Sequence, residues 1–351
     1  MPLDWRPGPG SHLLLGDNGA GKSSLLEAVY VLATTRSFRA PRLAQCVQHG
    51  ESVLRLLGEV EDQRRWLLDV AWSREAGLAR SVDGGSASLA EHLAVLPMVA
   101  WTSVEGEVVT GEPSLRRRFL DRGVVGTRPV ALEALSRYRQ ALDQKRELLS
   151  AVSSDESPSR SSSASLAPWN DLLADAAATV LEARNRYVER LSRAFDEVRS
   201  QAEIEIPEVV LRYRPSPKRG LEGREVIRDV LERVQNRERT VGFALVGPQR
   251  DELEILWGGH PVPAVASAGE RKILSLLLSA AHGRVLEAAG REPLYLLDDL
   301  DAELAPGALA RVWRCFASAR QVFVTSNRPA VWEGLSMGAT WHLAGGVQTE
   351  A

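Results

Sequence analysis

The chain has very little cysteine. Cys46 and Cys315, far apart in 351 residues, exclude a disulfide-stapled fold and a Cys-rich metal site, and they fit a reducing compartment. The six histidines are scattered, without His-Glu-x-x-His or Cys/His ligand spacing, so no zinc centre is supported. No stretch approaches the roughly 20 apolar residues that cross a bilayer, and no basic start followed by an apolar run opens the sequence. A cytoplasmic protein with no membrane partner is expected. An excess of positive charge is missing too. Lys and Arg number 43 against 46 Asp and Glu, a formal net charge of -3, which excludes coating of nucleic acid by overall charge and leaves only local basic patches. Lysine itself is rare, occurring only at Lys22, Lys145, Lys218 and Lys272. What is present suffices for a core: 44% hydrophobic residues can build one large domain or two ordinary ones.

One of the rare lysines completes a motif. Gly16-Asp17-Asn18-Gly19-Ala20-Gly21-Lys22-Ser23, followed by Ser24, matches the phosphate-loop pattern G-x-x-x-x-G-K-[ST] in full. Leu13-Leu14-Leu15 enters it as a short buried strand, and the apolar spacing from Ser24 to Leu32 continues it as a helix. The glycines let successive N–H groups point inward, and the helix N-terminus adds partial positive charge, which makes a concave anion site. Lys22 is expected to reach the β- and γ-phosphates of ATP, and the Ser23 hydroxyl to ligate Mg²⁺. A Gly-rich turn that binds nothing is the competing reading, and the strand-loop-helix context weighs against it.

Two later stretches fit the same chemistry. Leu294-Tyr295-Leu296-Leu297-Asp298-Asp299 is an apolar strand closed by two carboxylates, the form in which Asp298 supports Mg²⁺ and Asp299 orients the attacking water. Ser267-Ala268-Gly269-Glu270-Arg271-Lys272 opens a long helix and offers a second anion site, with Ser267 an N-cap in either case. Between these motifs the chain changes character. Residues 1–111 and 240–351 alternate strand and helix, whereas 112–239 carry two helical stripes, one from Leu132 to Val152 and one from Trp169 to Val198. A helical lobe thus interrupts an α/β head, and the Ser-rich segment 153–165 reads as a mobile loop at its tip. Arginines cluster at Arg36 and Arg39, at Arg116, Arg117 and Arg118 with Arg122, at Arg137 and Arg139, and, with Lys218, at Arg212, Arg214 and Arg219. Such patches can hold phosphates in a salt-sensitive, sequence-independent way, although charge runs on helices are usually solvated faces. Gly334-Leu335-Ser336-Met337-Gly338 matches a nucleophile pattern but has no acid between it and His342, so it is set aside.

The order of phosphate loop, long insertion, Ser-x-Gly-Glu helix start and Asp-Asp strand resembles the ABC-type ATPases of the SMC family. Further stretches are similar to the RecF family of bacterial DNA repair proteins within it: Asn18 to Ala28 with Arg36-Ser37-Phe38-Arg39, Gly111 to Asp121, and Val246 to Leu253. The resemblance implies an α/β fold, an ABC-type P-loop ATPase head with a mixed sheet, part of it antiparallel, interrupted by the helical lobe. It implies weak, DNA-linked ATP hydrolysis, with ATP and Mg²⁺ held by Lys22, Ser23 and Asp298. Ser267, Gly269 and Glu270 would complete the nucleotide site of the opposite subunit in an ATP-dependent homodimer. Binding to gapped or junction DNA is implied, with recruitment of RecO- and RecR-like mediators that load the RecA recombinase. Two departures stand out. An Arg-Asn-Phe element that helps form the nucleobase side of the family's pocket is not seen ahead of Leu13, which either a misplaced start or a truly shortened protein would explain. The family's Ser-Glu-Leu-Asp reads Ala302-Glu303-Leu304-Ala305 here, with Asp301 a candidate substitute for the missing acid. An ATP-binding subunit of an ABC transporter and a non-hydrolysing DNA-binding scaffold share enough of these parts to stand as alternatives.

Overall fold

The computed structural model of the chain describes residues 3–154, 166–218, 220, 223–343 and 347–349. Arg219 and most of the Ser-rich segment, 155–165, lie outside the described residues. Contacts divide the chain into two compact units. Unit 1 comprises Met1–Thr110, Leu191–Pro207 and Val262–Ala351; unit 2 comprises Gly111–Arg190 and Glu208–Pro261. Residues 240–261, expected with the α/β head, therefore group with the helical unit, and Leu191–Pro207 group with the head. No helix among the described residues is long and apolar enough to cross a membrane.

The main sheet of unit 1 is built from β1 (Gly10–Leu15), β6 (Met98–Trp101), β10 (Leu294–Leu297), β11 (Gln321–Ser326), β12 (Ala339–Leu343) and β13 (Val347–Thr349). These six strands lie in the order β13-β12-β1-β11-β10-β6. All pairings but that of β12 with β13 are parallel. The near-continuous apolar runs follow from this, because a parallel strand is covered on both faces. Leu14, Leu26, Leu296 and Phe323 belong to the core there. Pro97 directly precedes the edge strand β6, where its missing N–H costs no ladder bond. In register, Leu15 faces Ser326, and Leu297 faces both Val324 and Trp101. The loops that leave β1, β6, β10 and β11 therefore emerge along one edge of the sheet.

Helix α1 (Lys22–Thr34) follows β1 through the phosphate loop. A separate antiparallel sheet, β2 (Val53–Glu61), β3 (Arg65–Ser73), β4 (Gly77–Val82) and β5 (Gly85–Ser86), packs on it. Gly58 marks a close approach: a Cβ there would lie 2.2 Å from a Leu32 methyl. Helix α2 (Leu89–Val95) starts with a Ser88–Glu91 capping box and buries His92, whose Nε2 donates to the Leu32 carbonyl at 2.7 Å.

Unit 2 contains α3 (Pro113–Thr127), α4 (Ala131–Ser154), most of α5 (Ala167–Ala202) and α6 (Arg224–Val241). It also holds a small antiparallel sheet of β7 (Val209–Arg214), β8 (Glu252–Trp257) and β9 (His260–Pro261). Leu135, Tyr138, Leu142 and Leu149 of the first predicted stripe are buried, as are Val180 and Tyr187 of the second. Charges disguise β7 in the sequence. Val209, Leu211 and Tyr213 are buried, while Arg212 and Arg214 alternate with them and pair with Glu254 across the ladder.

The most particular sequence stretches meet inside unit 2. Arg184 donates to Asp121 Oδ1 and to Asp251 Oδ2, each at 2.6 Å, and to the Pro248 carbonyl at 2.7 Å. Tyr213 Oη also donates to Asp251 Oδ2, and the Ser216 N–H donates to Oδ1 at 2.8 Å. Burial opposes the Arg184 charge, but the two carboxylates outweigh it and raise the guanidinium above its ordinary value.

Candidate functional site

The phosphate loop joins β1 to α1 at the sheet edge described above. Gly21, the residue before the helix, is left-handed at φ 96°, and no side chain caps the helix behind it. Its first N–H groups are thus available to an anion. Gly16 is required for space: a Cβ there would approach the Leu343 carbonyl oxygen to 2.7 Å. Lys22 is buried, and its Nζ folds back on the loop, donating to the Gly16 carbonyl at 2.7 Å and the Asp17 carbonyl at 3.0 Å. The ammonium lies within the loop rather than in solvent. Asp17, Asn18, Gly19 and Ser24 are exposed around it, and Ala20 closes the turn by donating its N–H to the Asp17 carbonyl.

Strand β10 brings two carboxylates to the same place. Ser23 Oγ donates to Asp298 Oδ1 at 2.9 Å across a sequence separation of 275. Thr325, near the end of β11, donates to the same Asp298 oxygen at 2.7 Å and accepts the Asp299 N–H at 2.8 Å. Asp299 is left-handed, at φ 49°. Desolvation raises its carboxyl above the usual range, the neighbouring Asp298 adds to this, and Lys22 pulls the other way. Among the described residues no three His, Cys, Asp or Glu side chains group as a metal site. Mg²⁺ is usually bound through one or two protein oxygens together with phosphate and water. Ser23 and Asp298 supply such a pair, so the residues fit the ion.

Helix α7 (Ala268–Ala288) starts at a Ser267–Glu270 capping box. Ser267 Oγ accepts the Glu270 N–H at 3.3 Å, and Glu270 Oε2 accepts the Ser267 N–H at 2.7 Å. Ser267 is exposed and Gly269 half-buried at this helix start. Asp301, the acid considered as a substitute at the Ala305 departure, is only 2% exposed, and Arg328 donates to its carbonyl at 3.1 Å. Its carboxylate is enclosed within this chain, which removes it as a substitute for an acid reaching a second subunit.

The candidate DNA arginines separate. Arg36, Arg39 and Arg118 are exposed. Arg39 lies over the start of α1, 3.3 Å from Ser24 Oγ and 3.8 Å from Glu27 Oε2. Arg116 and Arg117 differ from these, because both make bonds inside unit 2. Arg116 forms a two-pronged pair with Glu252, at 2.5 and 3.1 Å, and donates to the Gly111 carbonyl at 2.7 Å. Arg117 donates to the Asp251 carbonyl at 3.0 Å, and burial lowers its pKa. The Arg116 donors spent on Glu252 and Gly111 are not available to a phosphate, whereas Arg117 commits one of its five.

Thr325 and Asn327 join the site without belonging to any of the motifs, and Lys272, the last residue of the helix-start stretch, joins it without having been assigned a role. Asn327 Nδ2 donates to Asn18 Oδ1 at 3.1 Å, tying the loop after β11 to the phosphate loop. Lys272 donates to the Asp299 carbonyl at 3.0 Å and to that of Ala302. The available signal is the apolar run of β11 ending in Thr325-Ser326-Asn327, since ligands of open parallel sheets bind beyond the C-terminal ends of strands.

Comparison with known proteins identifies the family. The family profile described as RecF/RecN/SMC N terminal domain matches residues 3–340. A DNA replication and repair protein RecF from Chromohalobacter salexigens is 34% identical over 305 residues, covering 86% of this chain and 81% of the relative. One from Pseudomonas fluorescens is 30% identical over 329 residues, covering 92% and 86%. Among solved structures, the recombination mediator protein RecF with ATP superposes with a TM-score of 0.86 at 23% identity, over 99% of this chain and 93% of that one. An Smc head bound to the C-winged helix domain of ScpA gives 0.53 at 15% identity, over 97% and 90%. With residues 3–340 matched by the profile and relatives at 30–34% identity over most of the chain, the chain belongs to the RecF family, within the RecF/RecN/SMC group.

Proposed function

We propose that this chain is an ATP-controlled DNA-binding protein of replication and recombinational repair. The observation that carries the reading is the convergence of Ser23 and Asp298, 2.9 Å apart, beside Lys22 at the uncapped start of α1. Bound Mg²⁺ would neutralise charge on the β- and γ-phosphates of ATP. Lys22, now held by two loop carbonyls, would turn its ammonium to the phosphates. Ser23 and Asp298 would hold the ion, and Asp299 would orient a water. Ser267, Gly269 and Glu270 face a second copy in this reading, so that ATP joins two heads. Arg36, Arg39 and Arg118 then offer the exposed cations for DNA phosphates. Gapped or junction DNA, and mediators of the RecO and RecR kind, are the partners that family membership suggests. The same membership sets aside the transporter subunit.

The test is binding of a gapped duplex with and without Mg·ATP, read by fluorescence anisotropy over a salt series. Tighter binding with ATP and a log-log salt dependence support the proposal. Equal affinity in both conditions would leave a scaffold without nucleotide control.

A further inference from the structure

We infer that Thr325 and Lys272 are positioning residues that hold Asp299 in its left-handed backbone conformation and thereby aim both carboxylates at the end of β10. The inference rests on the ATP site proposed above.

A non-glycine residue at φ 49° is uncommon and persists only where its surroundings over-determine it. Asp299 is held from both sides. Its N–H is taken by Thr325 Oγ1 at 2.8 Å, and its carbonyl by Lys272 Nζ at 3.0 Å. Each partner is fixed in turn. Thr325 is fully buried on β11, and its hydroxyl hydrogen is spent on Asp298 Oδ1 at 2.7 Å. One hydroxyl thus sets the side chain of the first acid and the backbone of the second. Lys272 lies on α7, about one turn beyond the Ser267 cap, with Nζ 4.8 Å from the centroid of the Trp101 ring. Trp101 is pinned by its own bond to Ser275 Oγ at 2.9 Å. The clamp therefore connects the helix start read as facing a second subunit with the acid read as orienting water. Asp298 Oδ1 already accepts from Ser23 and Thr325, which leaves its other oxygen for the ion.

The experiment compares the full chain with Thr325→Val, Thr325→Ser and Lys272→Met. Valine keeps the shape of threonine and loses the hydroxyl; serine keeps the hydroxyl. The first readout is hydrogen exchange of the 299–302 turn without nucleotide. Exchange speeds up in Thr325→Val and Lys272→Met and stays at the parent level in Thr325→Ser. The second is the Mg²⁺ concentration that half-saturates ATP binding, expected to rise about tenfold in Thr325→Val, as for loss of a group orienting a metal ligand. The third is single-turnover hydrolysis, expected to fall about 100-fold in Thr325→Val and recover in Thr325→Ser. Unchanged exchange in Thr325→Val, or a serine variant as impaired as the valine, overturns the clamp. A parent that exchanges as expected but binds no ATP overturns the proposed function and the catalytic role of the clamp, while its hold on the turn is read separately from exchange.

Discussion

Replacing Lys145 with methionine should destabilise unit 2 far more than a surface change would. Lys145 interrupts the apolar stripe of α4, and both it and Glu238 on α6 are 0% exposed. Their charged groups are 2.7 Å apart, Lys145 also donates to Asn170 Oδ1 on α5 at 2.8 Å, and Glu238 Oε1 accepts the Leu245 N–H at 2.8 Å. Methionine retains most of the lysine stem, so little packing is lost. It leaves the Glu238 carboxylate buried without its counter-charge, and breaking a buried pair from one side costs about 3–5 kcal/mol. Adding Glu238→Gln removes the stranded charge while keeping an acceptor for Leu245. The double variant should therefore recover much of the loss, with a coupling of about 2 kcal/mol or more in the cycle. Urea unfolding of the parent, both single variants and the double variant supplies the stabilities the cycle needs. A Lys145→Met loss below about 1 kcal/mol, the range of ordinary substitutions, would refute the reasoning, as would simple additivity.

Two further predictions separate structure from binding. Arg116→Ala should lower stability by about 1–3 kcal/mol, because it strands the half-buried Glu252. Arg118→Ala should leave melting unchanged but reduce the salt slope of DNA binding by about 1; the reverse pattern would return Arg116 to the DNA surface. The third concerns pH. Burial holds the His92 pKa below its ordinary value, so the unfolded chain takes up a proton that the folded chain does not. Stability should then fall as pH drops below about 6.5, by at most about 1.4 kcal/mol per pH unit for this group. His92→Gln should flatten that part of a melting-temperature profile, and an unchanged profile would remove His92 as the cause.

What is local is legible in the sequence. A phosphate loop is a run of consecutive residues between a strand and a helix, and Asp298 ends an apolar strand, so both can be read without knowing the sheet order. Thr325 cannot, because its role depends on β11 lying beside β10, a pairing made in space. The same limit explains Arg116 and Arg117. Adjacent arginines read as a basic patch until Glu252 and the Asp251 carbonyl come from distant positions in the chain to occupy two of them. Strand β8 shows its alternation openly, but its partner β7 is concealed by alternating arginines, which is why residues 240–261 read as part of the head. Arg184, which joins Asp121 and Asp251, carries no local signal at all: on a helix it is one arginine among many.

In the function proposed above, nucleotide bound at the Lys22 loop controls association of two heads. Light scattering during gel filtration, on the parent and on Lys22→Ala with and without Mg·ATP, tests this most directly. ATP should convert the parent from monomer to dimer and leave Lys22→Ala a monomer. A variant that dimerises with ATP as the parent does would contradict it.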